Sequence, residues 1–103
     1  MARKDRMTLN EAAQAAHDRK TFLAFARLLL ADREAAAHEE SVNPPGPYDL
    51  CGRGGWQNAT IDGFLEAAIS WAEDTEFGQT QGLSPDEPWT QFAVFLYCGK
   101  IYE

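Results

Sequence analysis

Apolar positions recur at helical spacing along most of this chain, and the places where the pattern stops mark its turns. Phe22, Phe25, Ala26, Leu29 and Leu30 fall three and four residues apart, which makes one apolar stripe on a 3.6-residue repeat. Asp18 stands before them as an N-cap, and the polar continuation ADREAAAHEES is rich in helix formers, so the helix is expected to run on. Ahead of it, Thr8-Leu9-Asn10-Glu11 fits a capping box and predicts a short Ala-rich helix to about Ala16. A third helix is predicted from near Asn58 or Thr60 to about Asp74. It carries Ile61, Phe64, Leu65, Ala68, Trp71 and Ala72 on its buried side.

The last stretch has a different pattern. Ser84-Pro85-Asp86-Glu87-Pro88 has the composition of a helix start, with proline tolerated in the first turn. No charge then occurs between Glu87 and Lys100, and PWTQFAVFLYCG is apolar around nearly its whole circumference. A helix of that kind belongs in the middle of a bundle. A strand over AVFLY is the alternative, because the run is short and rich in aromatic and branched residues.

Between the second and third helices, Ser41 to Gly55 holds three prolines and four glycines, a composition that excludes both helix and central strand. A loop of this length is functional or inserted. Trp56 follows it immediately, ahead of the hydrogen-bonding side chains Asn58 and Thr60, and fixes how the loop enters the third helix. The predicted fold is therefore all-α. A single domain over residues 1–103 forms a small helical bundle of three main helices and a short N-terminal one, packed around the fourth helix. A chain of 103 residues can bury roughly 60 to 70% of its unfolded surface, enough for one core without metals or disulfides.

Charge changes the picture more than composition does. The formal net charge is −7, yet residues 1–41 are balanced and the whole excess lies beyond them, where only Arg53 and Lys100 are basic. A nucleic-acid backbone would be repelled by that half. The acidic surface serves solubility or meets a basic protein partner. The opening MARKDRMTL lacks the apolar core of a signal peptide, and no stretch reaches membrane-spanning length, so a cytoplasmic location without membrane attachment is expected. Cys51 and Cys98 stand far apart with no metal-ligand spacing around them, which makes free thiols the expectation.

Few residues suggest chemistry. Asp62, Glu66 and Glu73 lie within about 40° of one another around the third helix, so three carboxylates share a face. Such a face is ordinarily solvated. Its functional alternatives are a docking stripe for Arg or Lys from another protein and a weak divalent-ion site. Glu34 and His38 are one turn apart, but a di-iron bundle site needs a different spacing and a second copy. His17 beside Asp18 reads as a boundary residue. Cys98 falls in the apolar run, where a thiol is inert. Cys51 has Arg53 nearby but no fixed base on a loop. Gly52-Arg53-Gly54-Gly55 lacks the strand, lysine and spacing of a phosphate loop. Trp71 and Trp89 are expected in the core, and Trp56, beside the loop, fits a core or a surface position equally.

Phe22-x-x-Phe25 with Asp32, Trp56-x-Asn58-x-Thr60-Ile61-x-x-Phe64-Leu65-Glu66-Ala67, Trp71-x-Glu73-Asp74, Pro88-Trp89-x-x-Phe92-Ala93 and the final Ile101-Tyr102-Glu103 form a set that spans most of the chain from Phe22 onward. In this set the chain resembles a family of small acidic bacterial proteins known only as a domain of unknown function. The resemblance implies no catalytic role for any residue. The Pro/Gly loop looks longer than the connection expected in relatives.

The functional expectation is a non-enzymatic protein-binding module without cofactor or metal. Asp62, Glu66, Glu73, Tyr48 and Trp56 are its contact residues, and its partner is basic, as for an immunity or antitoxin-like protein. A carboxylate/His metal protein or enzyme and a structural oligomerisation unit, such as a homodimer, are the competing classes.

Overall fold

The computed structural model describes residues 7–42 and 55–102, and among them it contains four α-helices and no strand. Tyr48, Cys51 and the Gly52–Gly54 run lie outside the described residues. The helices are α1 (Leu9–Ala15), α2 (Arg19–Val42), α3 (Ile61–Thr75) and α4 (Pro88–Ile101), with a 3₁₀ turn at Gln79–Gln81. The segment Phe92–Tyr97 is helical, so the alternative strand is excluded.

Local chemistry sets the helix starts. Thr8 Oγ1 accepts from the Glu11 N–H at 3.1 Å while Glu11 Oε1 accepts from the Thr8 N–H at 2.9 Å, which closes the capping box of α1. Asp18 Oδ1 accepts from the Thr21 N–H at 2.8 Å and from its hydroxyl at 2.7 Å, so the chain turns into α2 at the expected place. Thr60 caps α3 through the Gly63 N–H, and Pro88 opens α4, where a missing N–H leaves no bond unmade.

α4 is the central element, packed against α1, α2 and α3. Its buried residues run from Thr90 through Ala93, Val94 and Cys98 to Lys100. Small side chains at Ala12, Ala13 and Ala16 let α1 lie close to it, and the Thr90 hydroxyl donates to the Ala16 carbonyl across that contact. α2 runs parallel to α4, because Phe22 meets Trp89 at one end and Asp32 meets Lys100 at the other. α3 runs antiparallel to α4: Phe64 lies against Gly99, while Phe77, just past the C-terminus of α3, packs on Phe92 and Phe95. α2 and α3 are therefore antiparallel to each other.

α3 ends at Thr75, one residue past the expected Asp74, and the turn that follows is not legible in the sequence. Glu76 and Phe77 adopt positive φ of 54° and 58°, and Gly78 follows at 88°. This left-handed turn folds Phe77 back onto Trp71 at a ring distance of 5.8 Å. Thr75 secures it by donating to the Trp71 carbonyl at 2.6 Å and accepting from the Gly78 N–H at 2.8 Å.

Three burial expectations fail, and they fail together. Leu30 belongs to the apolar stripe of α2, and Ile61 and Leu65 to the predicted buried side of α3, yet they are 58%, 81% and 46% exposed. The physical reason is that α2 and α3 both pack on α4 without packing directly on each other, so the sides they turn toward one another stay open. Trp89, also expected in the core, is 36% exposed, because it lies at the edge of the core against Phe22. Trp71 is fully buried as expected.

Candidate functional site

The gap between α2 and α3 is closed from below by one side chain. Trp56, 4% exposed, lies at its floor with its ring stacked on Phe64 at 6.1 Å and 25°. Its indole N–H donates to Asp32 Oδ2 at 2.8 Å, and Lys100 Nζ reaches the same oxygen at 2.8 Å. Lys100 Nζ and the Arg33 guanidinium lie 5.5 Å and 5.2 Å from the centre of the Trp56 ring, within cation–π range. Arg33 is held in turn by a two-point pairing with Glu40 at 2.8 and 3.1 Å.

This cluster is built from three distant stretches of chain, and the backbone around it is equally committed. The Gln57 and Asn58 N–H groups donate to the Lys100 carbonyl at 2.9 and 3.4 Å. Asn58 Nδ2 donates to the carbonyls of Gly99 and Tyr102 at 3.1 and 2.9 Å. The last turn of α4 would otherwise leave carbonyls without donors. Asn58, expected to help start α3, instead finishes α4.

Above this floor lies an open groove of about 480 Å³. Ala26, Leu29, Leu30 and Arg33 form its α2 wall, and Ile61, Phe64 and Leu65 form its α3 wall. Ile69, also exposed, extends the α3 stripe by one more turn beyond Leu65. The acidic row adjoins that stripe. At about 100° per residue, Ile61, Leu65 and Ile69 span one sector of α3, and Asp62, Glu66 and Glu73 occupy the next, all three exposed. The Thr60 hydroxyl, with the Gly63 N–H and its own N–H, holds the Asp62 carboxyl below its usual range.

The sequence-derived contact residues are thus divided. Asp62, Glu66 and Glu73 share a solvated face as predicted. Trp56 lies on the other side of the apolar stripe, buried at 4% exposure with its N–H already used, so it supports the groove from beneath and is not the exposed contact residue expected, and Tyr48 lies outside the described residues. The pairing of Asp32 with Lys100, which fixes Trp56, is not legible in the sequence pattern. The available signal was the lone cation that ends the uncharged run of α4.

Other polar groups have local roles. His17 contacts the Ala15 carbonyl at 2.9 Å and Asp18 at 3.6 Å, at the corner between α1 and α2. His38 and Glu34 are exposed on α2. Among the described residues no three His, Cys, Asp or Glu side chains converge as a metal site requires. Burial pushes the Cys98 thiol up to about 11. The Tyr102 hydroxyl donates to Asp74 at 2.7 Å, which raises its pKa. No described helix is long and apolar enough to cross a membrane.

A family model described as a family of unknown function (DUF7660) matches residues 18–103. No curated protein and no solved structure matches the chain.

Proposed function

The chain belongs to that family of unknown function, and from this premise we propose that it is a protein-binding module, not an enzyme, with the α2/α3 groove as its docking surface. The observation that carries the reading is a run of exposed aliphatic side chains on two antiparallel helices over a fixed aromatic floor. Exposed apolar surface of this kind opposes solubility and is favoured only when something covers it. Two helices with a groove between them suit a ridge of aliphatic side chains at helical spacing.

The acidic row of Asp62, Glu66 and Glu73 supplies the polar rim and selects the charge of what docks. The preferred partner carries an apolar ridge flanked by Lys or Arg. Where that partner is a foreign protein, the module would neutralise a basic chain in the manner of an immunity or antitoxin protein. A cytoplasmic setting belongs to the same proposal, and the free Cys98 thiol is compatible with it.

The test is affinity capture with three baits: the unaltered protein, Ile61→Asp, and the triple change of Asp62, Glu66 and Glu73 to Lys. The unaltered bait is expected to retain a basic partner that both variants lose. Equal recovery by all three baits at ordinary salt rejects the groove and its acidic rim as the binding surface.

A further inference from the structure

The description of the favoured ligand, an apolar ridge with cations beside it, is met by α2 of this same chain. Leu23 and Leu30, both exposed, lie about 20° apart around α2, and Arg27 and Lys20 fall about 40 to 80° farther round on the side away from the core. Arg19 adds a third exposed cation at that end of the helix. Among the described residues none of these three cations has an ion-pair partner. α3 presents the complementary arrangement, with Leu65 and Ile69 bordered by Glu66 and Glu73. One face of the molecule therefore has a basic rail on one helix and an acidic rail on the other, with two aliphatic stripes between them.

We infer that the occupant of the groove is a second copy of this chain, seated about a two-fold axis that runs along the groove, so that α2 of each copy lies over α3 of the other. The inference rests on the docking reading above and gives that surface its partner. A two-fold across the groove would instead set basic rail on basic rail and acidic rail on acidic rail. Only the axis along it matches opposite charges.

Register supports the same axis. Leu30 faces Ile61 and Leu65 across the groove, and the two helices are antiparallel, so each step toward the N-terminus of α2 is a step toward the C-terminus of α3. At about 1.5 Å per residue, Arg27 comes level with Glu66 and Lys20 with Glu73. The rotation keeps these levels and swaps the helices, which brings Arg27 of each copy over Glu66 of the other. Glu34, the one acid on the α2 rail, falls at the opposite end within about one turn of Asp62, so that end of the contact carries no opposite charges and the pairing rests on Arg27 and Lys20. The four aliphatic stripes then close over the two Trp56 floors.

Analytical ultracentrifugation of the full chain tests this. The unaltered protein is expected to sediment as a dimer, and Ile61→Asp, Arg27→Glu and Glu66→Arg as monomers with unchanged helical circular dichroism. The decisive sample is an equimolar mixture of Arg27→Glu with Glu66→Arg. Each variant places like charges at both contacts of its own dimer, whereas the mixed pair restores opposite charges at both, so dimer should reappear. Three results would each overturn the assembly: unaltered protein that stays monomeric at its highest soluble concentration, a dimer indifferent to Ile61→Asp, or a mixture that stays monomeric. Monomeric protein that still captures a partner through Ile61 would leave the docking reading standing without the self-assembly. Loss of both would end the two together.

Discussion

Lys100 shows how a single side chain can be bound into a core it would ordinarily avoid. Its side chain is 10% exposed, and the compensation comes from Asp32 Oδ2 at 2.8 Å and the face of Trp56. Removing one partner of such a pair strands the other. Asp32 keeps some contact with water, so Lys100→Ala is expected to destabilise by roughly 2 to 3 kcal/mol, below the cost for a fully enclosed pair. Trp56→Phe, which deletes the N–H donor and leaves a cavity where the larger indole was, should cost about 2 to 3 kcal/mol. Urea unfolding midpoints measure both, and a Lys100→Ala midpoint equal to that of the unaltered chain would show that the node carries no stability. Cys98 supports a second expectation at this scale. With its thiol pushed up to about 11 it is protonated at neutral pH, so peptide mapping after iodoacetamide treatment should find Cys98 unmodified in the native protein and modified in urea. Native labelling as fast as that of a free thiol would place it at the surface.

At the scale of elements, the starts of helices were legible because their signals are local. Thr8, Asp18 and Thr60 each cap through an amide three residues away, a distance that sequence alone determines. The Asp18 cap has a pH signature. The Thr21 hydroxyl and N–H hold its carboxyl below its ordinary value of 3.8, so its contribution to stability is complete above that value and is lost as the pH falls through the lower folded one. Asp18→Asn keeps an acceptor but cannot titrate, and its unfolding midpoint should fall less on acidification than that of the unaltered chain; identical acid profiles would deny the linkage. Where two elements meet, the determinants are no longer local. A methyl added at Gly99 would come 2.7 Å from Phe64 Cζ, and that ring is held by its stack on Trp56. Gly99→Ala gains helix propensity but must displace Phe64. The net expectation is destabilisation of about 1 kcal/mol, with a shift in Trp56 fluorescence. An unshifted spectrum would mean that α3 and α4 separate freely at this point.

For the whole molecule, the working surface follows from how three helices share one core helix. α4 is apolar nearly all round and so takes three helices as neighbours, but α2 and α3 approach it without closing on each other. In sequence their facing sides are indistinguishable from core, because an aliphatic stripe at helical spacing has the same pattern whether it meets a neighbour in the same chain or in another. If opposite rails join two copies, dimer should weaken as sodium chloride rises, because partly exposed ion pairs are screened; salt-insensitive sedimentation would assign the contact to the apolar stripes alone. The sequence by itself determined the helices, their caps, the central place of the uncharged segment and the acidic sector of α3, since each depends on residues within a few positions of one another. Only tertiary structure decided that Asp32, Trp56 and Lys100 form one node, that Asn58 closes α4, and that Leu30, Ile61 and Leu65 face an open groove. Those outcomes depend on which helices come within reach across tens of residues, and helical periodicity identifies an apolar face without naming what will cover it.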